Sequence, residues 1–542
     1  MLHHFIPRLL RPLLPSISAI AVLLFVAAGQ PLMAAPPTTL PAHPPARAKP
    51  APPMAAKTGA AGHSMIGHLP AANPDQLIVT HHTITIDGKP LAYTATTGLM
   101  PIFNPTGKLI AHIFFVAYTK DHPTRGGRHR PLTFAFNGGP GAGAVWLHLG
   151  CAGPVILKLN PNGSAPPPPY QLVKNPDTWL NATDLVFVDP VGTGYSNPAP
   201  GVPQSAFDGV TQDVQSLGNF VQTYLNRYNR WASPIFLAGE SYGTTRAAAL
   251  SDYLGNHDGL NLNGIILISS ILNFQTISTG EGNDTPYPLF VPSYTAAAWY
   301  HHKLSPAMEQ HFHQTLAAAE HWALTDYTTA LAAGNSLSRA KRQAIAAQLA
   351  AFTGLPERYV LLSNLRIAPS AFEARLLQSE HQVIGRMDTR LTAYNDNPTL
   401  GRTGFDPAMQ GFVAPFTSAF NIYVRQNLHY KNDSRYRALS SDVFPWNFGP
   451  GGSGYLTVTD NLRHAMVRNP AMKVMVCSGY FDLATPFLAT IYTFDHLGLN
   501  AALQSNISEK FFLGGHMLYH PATQRARLAD DVRSFIAAAC KR

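Results

Sequence analysis

Short apolar runs bounded by turn residues recur along the chain, and they have two textures. HHTITIDGKPLAY (His81 to Tyr93) alternates polar and apolar positions around Asp87-Gly88, which predicts a hairpin, and LIAHIFFVAY (Leu109 to Tyr118) continues the β pattern. LTFAFNGGPG (Leu132 to Gly141), DLVFVD (Asp184 to Asp189), PIFLAG (Pro234 to Gly239), GIILISS (Gly264 to Ser270) and KVMVCSG (Lys473 to Gly479) each carry a nearly unbroken apolar run, the pattern of strands covered on both faces. Helical patterns lie between several of them, as at Val210 to Tyr228. Together these predict an α/β fold, a mostly parallel central sheet with right-handed crossovers and antiparallel strands at its N-terminal side.

From about residue 275 to 440 the texture becomes alanine-rich and helical, with SPAMEQHFHQTLAAAEHW opening on Ser305 as a cap and Pro306 at the first helical position. No strand run comparable to the others occurs there, so this block reads as a helical insertion between two parts of the core, 73–274 and 441–542. The N-terminal end differs again. Arg8 and Arg11 precede the apolar run Ile17 to Gly29, which is short for a membrane span and leads to small residues near Ala34. Residues 1–34 read as a cleaved export signal, an uncleaved anchor being the alternative, and 35–72 as a Pro/Ala-rich tether. The expected location is periplasmic or extracellular, with no stable membrane association once the signal is removed.

Charge changes this picture little. The formal net charge is +9, but charged residues are only 13% of the chain and no long Lys/Arg block occurs, so nucleic acid is not an expected partner. Three cysteines allow one disulfide at most, and no C-x-x-C pair or H-E-x-x-H run suggests a metal site. No cofactor is expected, and oligomeric state is not legible.

Candidate chemistry centres on FLAGESYGTTRAAAL, where Ser241 stands between two glycines at a predicted strand-to-helix corner. Such a corner pushes a hydroxyl out of the packed layers, as a nucleophile requires, although glycines and serines also populate ordinary turns. A serine nucleophile needs a base, an acid and oxyanion donors. Asp482 follows the strand ending near Gly479, and His516 lies in a glycine turn of FFLGGHMLYH. His520 is the second base candidate, and Asp442 and Asp460 are the other acids considered. The loop NGGPGAGA loosely fits a dinucleotide-binding turn, but Pro140 interrupts it and no acidic residue follows in PVILKLNPNGSAPP. An oxyanion loop fits better. Pro140 has no N–H, so Gly139 and Tyr242, the residue after the serine, are the expected donors.

NGGPG, DPVGTGYS, GESYG, the Asp482 segment and GGHM, in that order, resemble the serine carboxypeptidase family of α/β-hydrolases (peptidase S10), particularly its bacterial members. The resemblance runs over roughly residues 75 to 540, concentrated in these motifs. It implies a Ser241–Asp482–His516 peptidase with a helical cap, acting on peptide or protein C-termini, with Asn137, Gly138 and Glu240 holding the substrate's terminal carboxylate. In much of the family a second glutamate lies fourteen residues after the loop asparagine, and here that position is Cys151. With half of the acid pair replaced, strict carboxypeptidase specificity and a strongly acid optimum are both in question. A related esterase or acyltransferase, and a non-catalytic peptide-binding scaffold, are the other functions considered.

Overall fold

The computed structural model describes residues 77–541 apart from 122–129, 400, 402–403 and 450–453. The expected signal and tether lie outside the described residues. The strands are β1 (Ile78–Ile86), β2 (Lys89–Phe103), β3 (Leu109–Lys120), β4 (Leu132–Phe136), β5 (Val155–Leu157), β6 (Leu172–Lys174), β7 (Asp184–Val188), β8 (Asn197–Pro198), β9 (Ile235–Glu240), β10 (Gly264–Ile268), β11 (Gln382–Ile384), β12 (Thr392–Tyr394), β13 (Lys473–Gly479) and β14 (Ile507–Phe512).

Ten of these strands form one sheet, in the order β1-β2-β3-β7-β4-β9-β10-β13-β14 with β8 paired to β3. The β1–β2 and β2–β3 pairings are antiparallel, and β3 also meets β7 antiparallel. From β7 to β14 every pairing is parallel. Asp87 and Gly88, at φ 50° and 73°, close the first hairpin as two consecutive positive-φ residues should.

The unbroken apolar runs have their predicted cause. Ile265 and Leu267 of β10 belong to the hydrophobic cluster on one face, with Leu237 and Phe134. Ile266 and Ile268 belong to the cluster on the other, with Ala238 and Ala135. Both faces are covered, so alternation disappears from the sequence.

Between residues 275 and 440 the longer helices pack into different clusters. Residues of the helices Pro286–Tyr300 and Arg339–Thr353, among them Phe290, Tyr294, Leu349 and Phe352, build a separate cluster that reaches Leu483 and Leu488. The helix Pro407–Gln426 instead sends Phe412, Phe416, Phe420 and Tyr423 into the main core. Pro306 opens a helix as predicted, with Ser305 at its N-cap, but that helix stops at Glu309 and a second runs from Phe312 to Trp322. The paired strands β11 and β12 also lie in this region. Three residues each is too short to leave a period in the sequence.

Candidate active site

The parallel strands β9, β13 and β14 deliver Ser241, Asp482 and His516 from their carboxyl ends, the edge where such sheets place their sites. Ser241 sits between β9 and the helix Tyr242–His257, with φ 61° and ψ −131°. A non-glycine residue there is strained, and the glycines on either side show why the corner is so tight. A Cβ on Gly239 would lie 2.1 Å from the Gly243 carbonyl oxygen, and one on Gly243 would lie 2.8 Å from that of Phe136. Both positions must be glycine for strand and helix to approach this closely.

His516 Nδ1 lies 2.8 Å from Asp482 Oδ2. Asp482 is fully buried, and its Oδ1 accepts the amides of Ala484 and Thr485 at 2.7 and 3.1 Å while its Oδ2 accepts the Thr485 hydroxyl at 2.6 Å. Burial opposes the Asp482 charge, but His516 and these donors outweigh it and hold its pKa below the usual carboxylate value. Burial likewise lowers the pKa of His516, yet the Asp482 charge and hydrogen bond overcome this and the net shift is upward. With Nδ1 directed to the acid, His516 Nε2 is buried without a hydrogen-bond partner among the described residues.

The other candidates lie elsewhere. His520 is buried against Phe412 and Phe416, and burial pushes its pKa down to about 3. Asp442 and Asp460 are exposed and face Arg437 and Arg463.

The glycine loop approaches the serine corner from the side. A Cβ on Gly138 would lie 2.4 Å from the Tyr242 amide nitrogen, so only glycine permits this approach. Gly139 has φ 99°, and among the described residues no hydrogen bond within the chain takes up its amide or that of Tyr242. Asn137 uses its Oδ1 to accept the Leu147 amide at 3.0 Å and its Nδ2 to donate to Glu240 Oε1 at 3.0 Å. Burial, ahead of every other influence, pushes Glu240 up to about 7.

Cys151 is fully buried in the helical turn His148–Ala152, its Sγ 3.6 Å from the Leu147 carbonyl oxygen, and the charge of Glu240 adds to burial in raising its pKa. All three cysteines are free. Among the described residues no group of His, Cys, Asp and Glu is arranged to hold a metal, and no helix is long and apolar enough to cross a membrane.

Sequence reasoning missed several supports. Arg246 is buried and paired with Asp213 at 2.7 Å, and it donates to the Asn137 carbonyl oxygen, tying the glycine loop to the helix Val210–Arg227. A lone arginine within TTRAAAL was the available signal. Asp189, in DPVGTGYS, accepts the Ala144 amide at 2.7 Å beneath the same loop.

The charged segment GRMDTR, Gly385 to Arg390, meets the loops that carry Asp482 and His516 through its backbone. The Arg386 carbonyl oxygen accepts the Leu483 amide at 2.9 Å, the Met387 carbonyl oxygen accepts the His516 amide at 2.5 Å, and Thr389 donates to Phe481 at 3.0 Å. Asp406 holds the segment from behind by accepting the amides of Arg386 and Met387. Asp388 and Arg390 form an internal ion pair at 2.6 Å, while the Arg386 side chain stays exposed.

A mostly parallel sheet, crossed by helices and bearing a serine at a strained strand-to-helix corner, defines an α/β-hydrolase. The chain belongs to the serine carboxypeptidase family, whose model matches residues 89–511. It is 27% identical over 172 residues to serine carboxypeptidase-like 1 of Arabidopsis thaliana, covering 30% of this chain and 37% of that protein. It is 28% identical over 222 residues to serine carboxypeptidase-like 44 of the same plant, covering 39% and 42%. The chain thus spans well under half the length of these curated relatives. They are plant proteins, so the expected leaning toward bacterial members is not carried by them. Among solved structures, proline iminopeptidase of Mycobacterium smegmatis aligns over 85% of this chain and 100% of its own, at 13% identity and a TM-score of 0.31, too loose a match to bear on activity.

Proposed function

We propose that this protein is an exported serine-type carboxypeptidase that cleaves residues from peptide C-termini through an acyl-enzyme. The observation that carries the reading is the buried Asp482–His516 pair, its Nε2 taken up by none of the described residues, in a member of this family whose Ser241 is held at a strained corner. In this reading His516 Nε2 takes the proton of Ser241 as its oxygen attacks the scissile carbonyl. Asp482 fixes the histidine tautomer and stabilises the imidazolium. The negative charge on the carbonyl oxygen is met by the free amides of Gly139 and Tyr242, each such donor contributing about 3 kcal/mol to the transition state. His516 then passes its proton to the leaving amine, and a water activated by the same nitrogen releases the acyl group from Ser241.

Asn137, Gly138 and Glu240 serve as the subsite for the terminal carboxylate, with Cys151 behind them. A second reading, an esterase or acyltransferase, is favoured by one observation: Cys151 supplies no second carboxyl for end-group recognition. Labelling with a serine-directed phosphonate tests the serine. No adduct on Ser241 leaves the scaffold reading. A panel of free-acid peptides, amidated peptides and simple esters, read by mass spectrometry, then decides between peptidase and esterase.

A further inference from the structure

Glu240 has a partner that neither the motifs nor the family assignment supplies. Tyr519, fully buried, donates its hydroxyl to Glu240 Oε2 at 2.5 Å. Its ring lies against Gly150, where an added Cβ would be 2.6 Å from Cε2, and Gly150 immediately precedes Cys151. The hydroxyl thus reaches Glu240 from beside the position that carries no carboxyl here. Asn137 occupies the other carboxyl oxygen. The titratable groups acting on Glu240 are His516 and Asp482 from the loops after β14 and β13, Tyr519 itself, and Cys151 from the turn behind.

We propose that Tyr519 is a positioning residue of the end-group subsite, its phenol taking the place of the absent second acid so that Glu240 is held by two fixed donors instead of sharing a proton. This rests on the reading that Glu240 faces the substrate terminus. The two arrangements differ chemically. Two apposed carboxyls keep one proton between them because they repel once both are charged. A phenol keeps its own proton through neutral pH and always donates, which favours the ionised carboxylate. Tyr519 therefore opposes the upward push of burial on Glu240 and limits how far toward alkaline pH Glu240 retains the proton it donates to a substrate carboxylate.

The test is Tyr519→Phe in the full chain, which keeps the ring on Gly150, with kcat and KM measured for a blocked dipeptide as free acid and as amide from about pH 5 to 9, a range bracketing the histidine value. In the variant, the preference for the free acid persists to a pH higher by about one unit, since a hydrogen bond to a charged group has been lost, and the change lies in KM. Gly150→Ala, which displaces the ring, reproduces the shift if Tyr519→Phe does not fold. A wild-type pH dependence of the acid/amide ratio in a folded variant, or an equal loss of kcat on both substrates, overturns the proposal. Glu240→Gln separates the two ideas. If it alters the ratio while Tyr519→Phe does not, the role of Tyr519 falls and the Glu240 reading stands; if neither alters it, the Glu240 reading falls and takes the proposal with it.

Discussion

Asp482 and His516 meet through Oδ2 and Nδ1 at 2.8 Å, with the carboxylate fully buried and already accepting three other hydrogen bonds. That saturation fixes the imidazole in one orientation. His516→Ala is expected to lower kcat by several orders of magnitude, with Asp482→Asn similar or somewhat less and Ser241→Ala inactive with its fold intact, because such groups act as a unit. His520→Ala should instead lower the melting temperature, since its ring is packed between Phe412 and Phe416. Kinetics on purified variants check this, and a folded His520→Ala that loses more kcat than His516→Ala would falsify the choice of base.

The pH profile follows from the upward shift of His516. The base works neutral, so activity rises as pH climbs through its folded pKa, which lies above the ordinary 6.5. On an ester without a terminal carboxylate, kcat/KM should have its ascending midpoint above 6.5. A midpoint in the carboxylate range would mean that another group limits the reaction.

Cys151→Glu should create an acid pair with Glu240 that retains a proton, strengthening free-acid peptide binding at low pH mainly through KM. Matched free-acid and amide peptides measured from about pH 4 to 8, which spans the carboxylate and histidine values, check it. An unchanged ratio at every pH in a folded variant would place residue 151 away from the substrate terminus.

Glu240 also carries a stability signature. Its folded pKa of about 7 exceeds the ordinary 4.5, so the folded state holds its proton to higher pH than the unfolded chain does. Stability contributed by the protonated form is complete below about pH 4.5 and is lost as pH rises through about 7. Glu240→Gln removes this dependence, so its melting temperature relative to wild type should be more favourable at pH 8 than at pH 4. Parallel melting curves would refute this if the difference is constant across pH.

Most of the sheet was legible in the sequence because each strand buried on both faces must be apolar along its whole length, as in GIILI. Ser241 and Asp482 were legible because each follows such a strand within a few residues, and His516 because it stands in the glycine turn after Phe511-Phe512, although β14 itself carries Ser508, Glu509 and Lys510. Tyr519 was not, since its role depends on a hydroxyl reaching a carboxylate 279 positions earlier, and it resembles any other buried aromatic. The helix Pro407–Gln426 was assigned to the insertion for a similar reason: an amphipathic helix does not disclose which core its apolar face joins.

The short segment 385–391 has a last consequence. Because it is hydrogen-bonded through Arg386 to the residue after Asp482 and through Met387 to His516 itself, the helical region between β10 and β13 is not a removable module. Exchanging the helices of this region with those of a relative would leave the Asp482 and His516 loops supported only if Arg386 to Arg390 and their anchor Asp406 travelled with the graft or stayed behind together. A chimera whose junction fell between them would inherit an intact serine beside a histidine that had lost its footing.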